Sequence, residues 1–155
     1  MDEIFSKQQR ISLRDSNAKI NIWQGAVRSG KTYISLWRFV KEIMLDKKEL
    51  EGEFVIVART YDSIKRNLIP LLYEMIGSAF QYYIGKREAY MYGRKIHLVG
   101  AEDERAESKI RGATFIGAYV DEASILPEWM LKQMGFWKVE AVEVKVTKYK
   151  IVREE

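Results

Sequence analysis

Two short stretches of the chain carry residue types that suit phosphate chemistry. Residues 25 to 32 read GAVRSGKT, so Gly25, Gly30, Lys31 and Thr32 meet the spacing G-x-x-x-x-G-K-[ST]. The glycines let the backbone of Gly25, Ala26, Val27, Arg28, Ser29 and Gly30 bend until successive N–H groups converge on phosphate oxygens. A lysine placed like Lys31 reaches the β and γ phosphates of ATP, and a hydroxyl placed like that of Thr32 is a ligand for Mg2+. The helix expected to begin there aims the positive end of its dipole at the same anion. Downstream, FIGAYVDEA ends in Asp121 and Glu122. The first carboxylate can face the metal and the second can polarise an attacking water, the two jobs that hydrolysis adds to binding.

Neighbouring residues admit two readings each. Gln24 can hydrogen-bond an adenine edge or simply end a strand. Arg28, inside the loop, can offset charge growing on the γ phosphate or stay in solvent. Arg111, before Gly112 in KIRGATF, can sense nucleotide, act on a neighbouring subunit, or be merely solvated. The single histidine, His97, reads as structural or exposed. Tyr82, Tyr83, Tyr90 and Tyr92 can stack on bases, but aromatics in small sheets more often pack on one another. Glu102, Asp103, Glu104 and Glu107 read as a solvated face.

The elements that must hold these residues follow from periodicity. Lys19 to Gln24 is a strand before the loop, and Tyr33, Leu36, Trp37, Val40, Ile43 and Met44 then mark an amphipathic helix ending near Lys47 and Lys48. Phe54 to Arg59 has the look of a strand covered on both faces. Thr60, Asp62 or Ser63 caps a helix that runs to Gly77 and should kink at Pro70. Phe80 to Ile84, Ala89 to Tyr92 and Lys95 to Val99 predict a small antiparallel hairpin turning at Gly93-Arg94. Ala101 to Lys109 predicts a helical turn, Thr114 to Val120 a strand, and Pro127 the start of a short helix. The tail alternates Val142, Val144 and Val146 with polar residues, and its phase slips after Thr147 towards Tyr149 and Ile151.

Strands alternating with helices make this an α/β chain of 155 residues, large enough for one core. The expected organisation is a single P-loop NTPase domain over 1–155, with an N-terminal arm at 1–16 and an atypical strand-like tail at 137–155. A net charge of +4 is compatible with a polyanionic partner. The chain has no cysteine, so disulfides and thiolate metal sites are excluded, and one histidine makes a zinc site hard to build. No apolar run nears the ~20 residues of a membrane span, and the acidic start does not suit a secretory signal, so a cytoplasmic protein is expected.

QGAVRSGKT together with KIRGATFIGAYVDEASILPEWM resembles the large terminase subunit of tailed bacteriophages and related proviruses, the ATP-driven motor that packages DNA into capsids. The resemblance covers roughly residues 17 to 135. It implies a P-loop ATPase with a central, mainly parallel sheet, in which the phosphate loop and the acidic strand lie at neighbouring carboxyl edges. It also implies ATP and Mg2+ held by Gly25 to Thr32, with Arg28 acting within the loop, Asp121 on the metal and Glu122 as the catalytic carboxylate. Double-stranded DNA, a portal, a small terminase subunit and further motor subunits are the implied partners, with the host cytoplasm as the place of action. WKVEAVEVKVTKYKIVREE contains neither a recognisable coupling motif nor a nuclease cluster, so DNA cleavage is not expected of these residues. Two other readings remain: a truncated module that binds nucleotide or DNA without turnover, and an unrelated helicase-like P-loop ATPase.

Overall fold

The most apolar run of the sequence becomes the middle of a sheet. In the computed structural model, which describes residues 5–15, 20–24, 31–103, 105–112, 115–121 and 150–154, β2 (Glu53–Ala58) is flanked on both sides by parallel strands. Phe54 through Ala58 are each no more than 1% exposed, as expected of a strand whose two faces are covered. The chain divides into two compact units, Met1–Arg38 with Glu140–Glu155, and Phe39–Val139.

The second unit holds a mixed five-stranded sheet in the order β3-β4-β5-β2-β6, built from β3 (Phe80–Tyr83), β4 (Glu88–Met91), β5 (Arg94–Gly100), β2 and β6 (Phe115–Val120). β5, β2 and β6 are parallel, whereas β3, β4 and β5 form an antiparallel meander. The expected small hairpin is therefore not a separate element, because β5 serves the meander and the parallel sheet at once. Its turn falls one residue earlier than expected. Tyr92 and Gly93 have φ of 50° and 76°, the pair of positive values that a two-residue turn between right-twisted strands requires.

Between β2 and β3 runs a helical stretch made of α3 (Tyr61–Ser63), a π-helical turn (Ile64–Leu68) and α4 (Ile69–Ile76). Thr60 is the N-cap, its hydroxyl accepting the Ser63 N–H at 3.0 Å. Thr60→Ala should lower stability by about 1 kcal/mol and Thr60→Ser by much less, read from urea unfolding midpoints. The predicted kink at Pro70 takes the form of the π turn. There the Ile69 N–H bonds back to Ile64 O, so the helix has already widened where the proline ring would meet the preceding turn. Gly77, at φ 54°, ends α4 as expected.

One face of the sheet carries Val55, Val57 and Val99 packed with Ala106 of α5 (Ala106–Arg111), with Phe115, Ala118 and Val120 beside them. On the other face Phe54 meets Phe39 edge-on at 6.0 Å, and Phe39 lies 5.9 Å from Tyr119. Phe39 belongs to α2 (Lys31–Lys41), which continues as a π turn over Glu42–Asp46 closed by the Lys47 N–H on Glu42 O at 2.8 Å.

The first unit holds more order at its start than an arm. Residues 7 to 15 form α1 (Lys7–Asp15), whose first turn is closed by a capping box: the Gln9 N–H donates to Ser6 Oγ at 3.2 Å, and the Ser6 N–H to Gln9 Oε1 at 2.9 Å. Phe5 sits 5.9 Å from Tyr33 and 6.0 Å from Trp37, so two residues expected on the apolar stripe of α2 form an aromatic group there. β1 (Ile20–Gln24) pairs antiparallel with β7 (Lys150–Glu154), Ile22 opposite Val152 and Trp23 opposite Ile151. Among the described residues β7 is the strand paired with β1. Val142 to Thr147 and the expected helix from Pro127 lie outside the described residues.

Candidate functional site

The first unit frames the phosphate loop as a strand and a helix. β1 ends on Gln24, and α2 begins on Lys31; Gly25 to Gly30, Arg28 among them, lie outside the described residues, as do the side chains of Gln24 and Lys31. Thr32 is half-buried, and its carbonyl accepts the Ser35 hydroxyl at 3.1 Å, a local bond in the first turns of α2.

In the second unit the parallel strands set out a carboxyl edge. Asp121, half-buried, follows the last residue of β6, and its N–H donates to Val57 O at 2.8 Å. Glu122 lies outside the described residues. Arg111 closes α5, is exposed, and precedes Gly112, which lies near Gly52 and Glu53 at the amino end of β2. Arg111 thus stands at the end of the sheet opposite Asp121, one strand of about 20 Å away. The Thr32 hydroxyl and the Asp121 carboxylate are each hard oxygen donors. Among the described residues no three His, Asp or Glu side chains gather as an all-protein metal cage.

The carboxyl edge also carries groups that no local pattern announced. The Tyr61 hydroxyl bonds that of Tyr82, and the Arg87 guanidinium lies 4.4 Å over the Tyr61 ring. Burial first, and the bond to Tyr82 after it, hold the Tyr61 hydroxyl well above the usual phenol range. Arg87, itself at φ 50°, also bonds Asp103, and Arg59 pairs with Glu102 at 3.0 Å. Two members of the acidic stretch therefore tie loops together rather than only facing water. The Arg105 backbone N–H, with Arg87 as a further cause, holds the Asp103 carboxyl below the usual range. A depressed folded value means that ionised Asp103 stabilises the fold above about pH 4, and that this is lost as pH falls through the folded value. Asp103→Asn should accordingly flatten the acid limb of a stability profile taken between about pH 2 and pH 7.

His97 is buried, with Nε2 bonded to Glu53 Oε2 at 2.7 Å and its ring edge-on to Phe115 at 5.4 Å. It lines an open basin of about 580 Å³ with Glu53, Lys95, Ser108 and Lys109. Lys95 reaches Glu88 at 3.4 Å, so the basin's charges are largely paired. The structural reading of His97 therefore matches its place. The tyrosines also pack on protein, Tyr83 edge-on to Tyr90 at 5.7 Å.

The family model described as terminase large subunit, T4likevirus-type, N-terminal, matches residues 22–139. Comparison with curated proteins gave no match. Among solved structures, the large terminase from a thermophilic bacteriophage, in its second crystal form, matches with a TM-score of 0.69 at 24% identity over 88% of this chain and 37% of that one. The same phage's large terminase in complex with ADP matches with a TM-score of 0.60 at 21% identity, over the same shares. The fold is thus one shared with these large terminases, and this chain spans a little over a third of their length.

Proposed function

This chain belongs to the T4-like-virus type of terminase large subunit, as its N-terminal part, and from that membership we propose that it binds ATP and hydrolyses it to drive packaging of double-stranded DNA. The observation that carries the reading is the span of the family match. Residues 22–139 include both the GAVRSGKT loop and Asp121-Glu122, the two halves of a nucleotide-hydrolysing site. An ADP complex of a structurally similar terminase supports the same reading.

In this proposal the backbone from Gly25 to Gly30 wraps the phosphates and Gln24 contacts the base. Lys31 spans the β and γ phosphates, Arg28 offsets charge on the γ phosphate as its bond to the bridging oxygen breaks, and Glu122 orients the attacking water and draws on its proton. Mg2+, held by Thr32 and Asp121, would supply further charge neutralisation at the phosphates. Arg111, at the far end of the sheet from Asp121, fits a role on a neighbouring motor subunit better than one at its own nucleotide. Portal and small terminase subunit are the proposed further partners, and the host cytoplasm the proposed setting. The test is ATP turnover by the full chain, with and without Mg2+ and DNA, beside Lys31→Ala and Glu122→Gln.

A further inference from the structure

β6 does not alternate cleanly. Phe115, Ala118 and Val120 share the face covered by α5, a spacing of three and then two. Gly117 and Tyr119 take the opposite face: a Cβ on Gly117 would lie 2.7 Å from the Phe54 ring, and Tyr119 packs on Phe39. The change of phase is a bulge, for Glu53 opposes Phe115 but Phe54 opposes Gly117, leaving Ile116 as the extra residue.

A bulged residue falls out of the ladder, and its carbonyl needs another donor. Here the donor is the Lys47 ammonium, which bonds Ile116 O and pairs with Glu42 Oε1 at 2.6 Å. Both charged side chains are more than two-thirds buried. The loop that carries Lys47 is pinned in turn by Arg94, whose guanidinium donates to Lys47 O at 3.0 Å, to Gly52 O at 3.2 Å and to Leu50 O. Around the bulge, surfaces fit this register closely. A Cβ on Gly52 would fall 2.5 Å from Ile116 Cγ2, and one on Gly117 3.3 Å from the Glu42 carboxylate.

We infer that Lys47 is a positioning residue, which fixes the register of β6 and thereby the setting of Asp121. Without the bulge, every residue after Ile116 slips by one and turns to the other face. Asp121 shares the parity of Gly117 and Tyr119, and its N–H bond to Val57 O exists only in the bulged register. A slip would end that bond and turn the carboxylate toward the α5 face. The register claim stands on the geometry of this sheet; its consequence for nucleotide chemistry rests on the proposed role of Asp121 at the metal.

The test uses the full chain as Lys47→Met, as Lys47→Arg, and as Lys47→Met with Glu42→Gln, the last removing the buried carboxylate that the first leaves unpaired. Amide exchange followed by NMR should show the Asp121 N–H exchanging about tenfold faster in both Met variants, with Ile56 and Leu98 amides unchanged and Lys47→Arg close to the parent. The Mg2+ concentration for half-maximal ATP turnover should rise about tenfold in the same two variants. Unchanged Asp121 exchange, or equal acceleration across the whole sheet, overturns the register role. Faster Asp121 exchange with an unchanged Mg2+ requirement overturns its consequence for the metal. A parent chain with no turnover under any condition defeats the nucleotide reading instead, and the exchange data then decide the register by themselves.

Discussion

Lys31→Ala should reduce Mg2+-dependent ATP turnover by at least about a hundredfold, the loss expected when a preorganised charge aimed at a developing phosphate charge is removed. The variant should also raise the KM for ATP, because in the proposed site the ammonium would contact the phosphates in the ground state as well. Glu122→Gln should behave differently. An amide keeps the size and hydrogen-bonding reach of the carboxylate but cannot accept a proton, so kcat should fall by about 10² to 10⁴ while KM for ATP stays near the parent value. Arg28→Ala belongs between them, with a fall in kcat and a smaller change in KM. This split separates a hydrolase from a module that only binds nucleotide. In such a module, Lys31→Ala would weaken ATP binding while Glu122→Gln changed nothing. A parent rate equal to that of Lys31→Ala, with DNA and the other packaging subunits present, would sink the enzyme reading for this chain.

What could be read ahead of the structure divides along the range of the forces involved. The buried strand from Phe54, a cap among Thr60, Asp62 and Ser63, the end at Gly77 and the strand running to Val120 all rest on signals within a few residues, and all appear where expected. Pro70 announced a disturbance, and the structure shows its form: a π turn that opens the helix before the ring arrives. The meander was legible as three strands, but nothing local shows that Arg94–Gly100 also lies beside β2, because that pairing is set by burial of Ile96 and Leu98 against a segment about forty residues away. The capping box at Ser6 and Gln9 matches the S-x-x-Q spacing but stands in a polar stretch that no apolar periodicity marks as a helix. The bulge at Ile116 had a visible trace in Gly117 alone, and the lysine that satisfies it lies 69 residues away. Of the candidate site, the motif residues are proposed from the fixed spacing that phosphate chemistry demands, and Gly25 to Gly30 and Glu122 lie outside the described residues. Tyr61, Arg87 and Asp103 were not legible, because their contacts join separate loops at one sheet edge.

Gly100→Ala should be the most disruptive single methyl that can be added to the parallel sheet. A Cβ at that position would stand 2.4 Å from Tyr61 N, 2.9 Å from Thr60 C and 3.1 Å from Thr60 Cα, so its three nearest neighbours are all backbone. That backbone is held from several sides. The Ala101 N–H donates to Ala58 O at 2.8 Å and the Glu102 N–H to Arg59 O at 3.1 Å, while Thr60 caps the helix that follows. A side chain can rotate away from an added methyl; here relief requires parting the ends of β2 and β5. The expected cost is about 3 kcal/mol, the upper part of the usual range for overpacking, read as a fall in the urea midpoint with little change in slope. Gly85→Ala is the matched control, since a Cβ there meets no atom within 4 Å and should change stability by less than about 0.5 kcal/mol. The displacement should also reach Asp121, because its amide hangs on Val57 O, one residue before the Ala58 that pairs with Gly100. Gly100→Ala protein that remains folded should therefore show faster Asp121 amide exchange than Gly85→Ala protein. Equal stability of the two variants would mean that the close approach of β5 to Thr60 and Tyr61 does not limit the sheet.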